Sequence, residues 1–207
     1  MAECCRHPAL RALGLGLALI LASGLAQAQV VGEALVDGRQ VTLFADGTWA
    51  WASVDTSGCT VVAPRVEFCS TDPAWRPSPP PNAAVAAAFW HDDRNYGQFI
   101  AEGIGRLDGL TETAFRDLIL KGTEASSGSK PVMLSLEKTT VSGLPAETMV
   151  YAITVQGMDA IFANTLVLTE RLTLQVQTYM IGRPEDFGDS ARRLHTDFIA
   201  ATRIKTE

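Results

Sequence analysis

Arg171-Leu-Thr-Leu-Gln-Val-Gln-Thr-Tyr-Met-Ile181 alternates along its length, with Leu172, Leu174, Val176 and Met180 on one side and Arg171, Thr173, Gln175 and Gln177 on the other. Period two is the repeat of a β-strand, and this pattern predicts a half-buried strand with its polar set in or near water. Upstream, Glu147–Val155 places Met149, Tyr151, Ile153 and Val155 on one face. Between the two, Ala160–Glu170 is apolar on both sides: Phe162, Leu166 and Leu168 share one face, Ile161 and Val167 the other. A strand apolar on both faces belongs in the middle of a sheet. The connections Gly157-Met158-Asp159 and Glu170-Arg171 have hairpin length, so these strands are predicted to be antiparallel neighbours. Val132–Leu136 reads as a further strand, closed by the turn Val141-Ser-Gly-Leu-Pro145, where Gly143 supplies a positive φ.

The flanks of this region are helical. Thr111 is placed to N-cap a helix, Glu112 suits its positive end, and Ala114, Phe115, Leu118 and Ile119 form an apolar stripe. Beyond the sheet, Pro184 sits well in a first turn. Phe187, Ala191, Leu194, Phe198 and Ala201 recur at threes and fours, predicting a closing helix of four to five turns from Pro184 to Ile204. Ala83–Phe89 and Tyr96–Ile104 read as a strand pair, and Trp75-Arg-Pro-Ser-Pro-Pro-Pro81 as an extended surface crossing. The predicted class is α+β: an antiparallel sheet of about six strands flanked by helices.

The first residues read as an address. Arg6 and Arg11 precede an apolar run, Leu13–Leu25, and Ala26-Gln-Ala28 fits a small-x-small cleavage site. The run is shorter than the ~20 residues that span a bilayer. Residues 1–28 are therefore predicted to be a signal peptide, and the mature protein periplasmic or secreted, with no stable membrane insertion. The chain carries a net charge of −6, and no segment concentrates positive charge, which argues against nucleic acid and anionic membrane surfaces as partners. Two cysteines follow the leader, Cys59 and Cys69, and in an oxidising compartment they are expected to pair. Closing so short a loop contributes roughly 3 kcal/mol on the chain-entropy model.

Residues 29–56 read as a small appendage to the main domain at 57–207. Two Asp-Gly pairs, Asp37-Gly38 and Asp46-Gly47, punctuate short apolar runs and predict a three-stranded meander. Trp49 and Trp51 then share one face of its last strand, either packed on the main domain or left as an aromatic platform for a partner. The segment Asp37–Trp49 resembles the DGxxVxLxxDGTW hairpin of exported bacterial proteins.

The order of strand pair, helix, antiparallel run and closing helix resembles the Mog1/PsbP-like fold. The matching residues are Gly109-Leu-Thr-Glu112, Val141-Ser-Gly-Leu-Pro145, Thr178-Tyr179 and the segment Pro184–Ile204, so the resemblance covers Cys59 to Ile204. It implies a non-enzymatic role: an assembly factor, a subunit of a larger complex or a small GTPase partner, the last being out of place beyond the cytoplasm.

No catalytic constellation stands out. Ser127-Gly-Ser-Lys130 and Ser135-Leu-Glu-Lys138 both spell S-x-x-K. That chemistry needs a buried helix start, and these fall on a loop and a strand. Two histidines follow the leader, and His195 is expected to be partly exposed on the last helix. The densest polar cluster, His91-Asp92-Asp93-Arg94-Asn95 with Gly97, has part of a calcium-loop spacing without its closing acid, and reads as a solvated hairpin turn. The expectation is an exported, non-catalytic accessory protein without cofactor or metal that binds another envelope protein, with Trp49, Trp51, His91, Asp92 and Asp93 as candidate contacts. The alternative is a carrier of a small apolar ligand in a pocket lined by Phe115, Tyr151 and Phe198; a hydrolase comes third.

Overall fold

A computed structural model describes residues 30–36, 39–45, 47–51, 58–155 and 157–205. The leader at 1–28, the Asp37-Gly38 turn and Asp46 lie outside the described residues. Strands β1 (Val30–Val36), β2 (Arg39–Phe44) and β3 (Trp49–Trp51) form an antiparallel meander in chain order, with Gly47 at a φ of 80° where the second turn requires it.

The main sheet has seven strands, one more than the pattern predicts. They are β6 (Arg76–Ser78), β7 (Ala87–Trp90), β8 (Asn95–Glu102), β9 (Val132–Val141), β10 (Leu144–Val155), β11 (Met158–Leu168) and β12 (Thr173–Ile181), arranged β6-β7-β8-β12-β11-β10-β9. Every neighbouring pair is antiparallel. The extra strand comes from the proline-rich crossing. Pro77 can join because β6 is an edge and needs to pair on one side only. The predicted strand over Ala83–Phe89 shortens to Ala87–Trp90, and turn residues precede it.

One helix lies on each face. The first, α1 (Glu112–Ser127), starts at Thr111, whose hydroxyl accepts the Ala114 amide at 3.2 Å, and ends at Gly128 in the left-handed region. It carries the chain across to the far edge, where β9 begins. Its inward line runs through buried Phe115 and half-buried Ile119. Leu118 is 56% exposed and Ala114 is exposed, so the predicted stripe is narrower than four residues. The closing helix is also shorter than predicted. Pro184–Asp186 is a single 3-10 turn, extended Gly188 interrupts it, and α2 spans Asp189–Ala200. Thr202–Ile204 then leaves the helix as β13, which pairs with β5 (Val66–Phe68); β5 in turn pairs with β4 (Thr60–Ala63).

This small sheet and α2 cover one face of the large sheet. Phe68, Trp75, Phe89, Phe99 and Phe198 meet there, with Phe68 and Phe198 centroids 4.4 Å apart. Gly97 permits the packing, since a Cβ at that position would lie 2.6 Å from the Phe198 ring. Cys59 and Cys69 are joined in a disulfide that ties the start of β4 to the end of β5, and the Cys69 amide donates to Ala201 O at 2.8 Å.

The opposite face corrects the polar reading of β12. Thr173, Gln175 and Gln177 are buried rather than wet. The amides bind one another: Gln98 Nε2 donates to Gln177 Oε1 at 2.5 Å, Gln177 Nε2 to Gln175 Oε1 at 2.9 Å, and Asn164 Nδ2 to the same oxygen at 2.9 Å. Partnered amides can leave water, which sequence alternation alone does not register. Beside them runs an aromatic row, Tyr96–Tyr179–Phe162–Tyr151, one ring per strand and stacked at 5.0–5.4 Å. The stacked rings occupy one another's faces, so the row braces the sheet.

Candidate functional site

The sheet ends at β9. Its apolar residues are those of a core strand, yet Val132 is 60% exposed, Met133 39%, Leu134 40% and Leu136 44%. Topology explains the mismatch: β9 pairs with β10 only, and α1 passes over β10 rather than over the strand itself. The β9–β10 register slips between Val150 and Tyr151, leaving Leu134 without a partner opposite it as a bulge. A ten-residue edge with unpaired backbone donors and acceptors is a template for another strand. Its charged guards are Glu137 and Lys138, and its apolar half carries none.

Two clefts flank this edge, one on each face of the sheet. The α1-side cleft, about 350 Å³, has Phe115, Leu166 and Leu168 among its lining residues, with Arg106, Glu112, Lys138 and Glu147 also lining it. Arg106 Nη2 binds Glu112 Oε1 at 2.6 Å, and this bond holds the Glu112 carboxyl below its ordinary range. Arg116 Nη1 binds both oxygens of Glu147, at 3.0 and 2.6 Å.

The α2-side cleft, about 310 Å³, reaches Thr148 and His195. His195 is 4% exposed, against the expectation of a partly exposed side chain. Its Nε2 meets Thr165 Oγ1 at 2.8 Å, its Nδ1 meets Thr178 Oγ1 at 2.9 Å, and Thr165 meets Thr148 Oγ1 at 2.6 Å. Burial pushes the imidazole pKa down to about 3, so the ring is neutral. Thr165 is fully buried, and this chain of hydroxyls fastens α2 to β11 and β12. Ala191, His195 and Phe198 recur at helical spacing, a sign that His195 faces inward, but its partners Thr165 and Thr178 come from strands that spacing on the helix does not reveal.

Among the residues singled out from sequence, His91, Asp92 and Asp93 do share the β7–β8 hairpin. His91 is bracketed by Asp92 (Nδ1 to Oδ2, 2.8 Å) and Asp72 (Nε2 to Oδ2, 3.2 Å), and its ring lies 4.7 Å from Trp75. Asp92 Oδ1 accepts the Arg94 and Asn95 amides and Asn95 Nδ2 at 2.8–3.0 Å. Burial opposes its charge, but these bonds and His91 outweigh burial and lower its pKa. The Ala74 amide bond and His91 likewise lower Asp72 against a smaller cost of burial. Asp93 is exposed, and its carbonyl accepts Tyr96 Oη at 3.4 Å. The geometry is that of a tied-down turn. Trp49, in the separate meander, is 54% exposed; the Trp51 side chain lies outside the described residues.

Phe115 and Tyr151 line one face of the main sheet and Phe198 the other, so the three do not share a pocket. Ser135 and Lys138 point to opposite faces, and the Ser127 hydroxyl donates to Ser129 O at 3.0 Å. Among the described residues, Cys59, Glu67 and Cys69 bring their ligand atoms together, but the two sulfurs are bonded to each other and Glu67 pairs with Lys205. No described helix is long and apolar enough to cross a membrane.

No family model matches the sequence, and no curated protein matches it. Solved structures do. Cyanobacterial PsbP (CyanoP) from Synechocystis sp. PCC 6803 superposes with a TM-score of 0.53 at 12% identity, covering 75% of this chain and 98% of that one. A point mutant of the protein Mog1 gives 0.50 at 8% identity, covering 70% and 94%. LpqN, involved in cell envelope biogenesis of Mycobacterium tuberculosis, gives 0.43 at 14% identity, covering 74% of this chain and 88% of that one. The chain has the Mog1/PsbP-like fold, and at these identities the likeness is one of fold.

Proposed function

We propose that this is an exported, non-catalytic accessory protein of the periplasm that binds another envelope protein by adding a strand of its partner to β9. The observation that carries the reading is the apolar, uncovered edge at Val132, Met133, Leu134 and Leu136. Main-chain pairing along such an edge supplies affinity, and alternating side chains supply selectivity. Export is supported by the leader pattern of residues 1–28 and by the Cys59–Cys69 bond, which persists in oxidising compartments.

Charge on the edge tests it. Leu134→Lys with Leu136→Lys places two ammonium groups where solvent already reaches, so the fold is expected to survive, as circular dichroism can verify. Capture of a defined partner from an envelope extract is expected to fall by about tenfold or more, a loss above 1.4 kcal/mol. Undiminished capture by the doubly charged variant overturns the assignment to β9.

A further inference from the structure

We infer that the cleft between α1 and β9–β11 is a binding site for an anionic amphiphile: an apolar chain ending in a carboxylate or phosphate. The cleft holds about 350 Å³, within the range of small-molecule sites. Phe115, Leu166 and Leu168 are buried side chains of one apolar cluster and give it an apolar floor. Pro145 and Ala146 also line the cleft.

The charge around that floor decides the kind of ligand. Arg106 is committed to Glu112, and Arg116 to Glu147. Lys138 lies opposite Glu147 in the β9–β10 register, but Glu147 turns both its oxygens to Arg116. Among the described residues Lys138 has no carboxylate partner, so the cleft carries one uncompensated positive charge on a chain whose net charge is −6. An apolar body would bury against Phe115 and the leucines, while its anionic end meets the Lys138 ammonium. A neutral chain would satisfy only the first of these contacts. The site adjoins the β9 edge and shares Lys138 with it, but strand pairing uses the β9 backbone whereas this ligand uses the Lys138 side chain and the cleft behind it.

Titration calorimetry with decanoate, with decanol and with phosphatidylglycerol vesicles tests the proposal on the full chain and on Lys138→Glu. Lys138 is exposed, so the variant is expected to fold. The expected result is saturable one-to-one binding of decanoate, weakened about tenfold in Lys138→Glu, with decanol binding no better than that variant binds decanoate. Binding to the vesicles instead of free decanoate, with the same loss in Lys138→Glu, supports the site and assigns its ligand to the membrane. Absence of saturable binding to both overturns the proposal, as does equal binding of decanol and decanoate with no effect of Lys138→Glu.

Discussion

Phe198→Ala is expected to lower the stability of the folded protein by about 4 kcal/mol, within the range for truncating a buried aromatic side chain. Phe198 is fully buried and packs against Phe68, Trp75, Phe89 and Phe99, from four different segments of the chain. Removing the ring opens a cavity where α2, the small disulfide-tied sheet and β8 meet, so no single element can move in to fill it. Gly97 supplies a control. A methyl group there would lie 2.6 Å from the Phe198 ring, so Gly97→Ala is expected to destabilise the protein on its own. The same change should cost less in the Phe198→Ala background, where the obstructing ring is gone. Urea denaturation of the two single variants and the double variant measures this coupling. Strict additivity would mean that the ring does not rest on the strand as described.

Acid is expected to unfold the protein through His195. The imidazole titrates near 6.5 in an unfolded chain and at about 3 in the fold. Between those values the unfolded state binds a proton that the folded state refuses, so stability rises with pH across this window. Read downward, the contribution is intact above pH 6.5, declines by about 1.4 kcal/mol per unit below it, and levels off near pH 3. The full effect is on the order of 5 kcal/mol. His195→Gln keeps hydrogen-bonding capacity toward Thr165 and Thr178 but cannot titrate. Its stability at neutral pH is expected to be lower, and its loss of stability between pH 6 and pH 4 smaller than that of the unmodified protein by nearly 3 kcal/mol. Equal pH slopes in denaturant titrations would place the acid sensitivity elsewhere.

The same histidine shows what a linear pattern hides. Period-two alternation over Met149–Val155 and Leu172–Met180 was legible because a strand repeats its environment at every second residue, and the antiparallel order of β9 to β12 followed from short connections. Burial on the second face was not legible. Gln175 and Gln177 look wet in sequence and become dry because Gln98, far away in the chain, and Asn164, on the neighbouring strand, supply partners. His195 shares the inward spacing of Ala191 and Phe198, but the hydroxyls that let it be buried, Thr165 and Thr178, come from two other strands. The edge at Val132–Leu136 misleads in the opposite sense. It carries the composition of an interior strand, and its exposure comes from the α1 crossover, which sets β9 at the far end of the sheet. Strand order is a property of the whole chain, so Val132–Leu136 read only as a further strand and its place at the edge was not legible. By contrast, the hairpin at His91–Asn95 was placed correctly as a turn, because Asp92 ties it through bonds local in sequence.

Partner binding at β9 is tested most directly by a photo-crosslinking residue placed at Leu136 in the native cells, with a second at Asp117 on the exposed side of α1 as a control. Strand pairing at β9 predicts a discrete adduct with one envelope protein from position 136, absent from position 117 and lost when Leu134 is changed to Lys. An adduct of equal yield from both positions, or none from the edge, contradicts it.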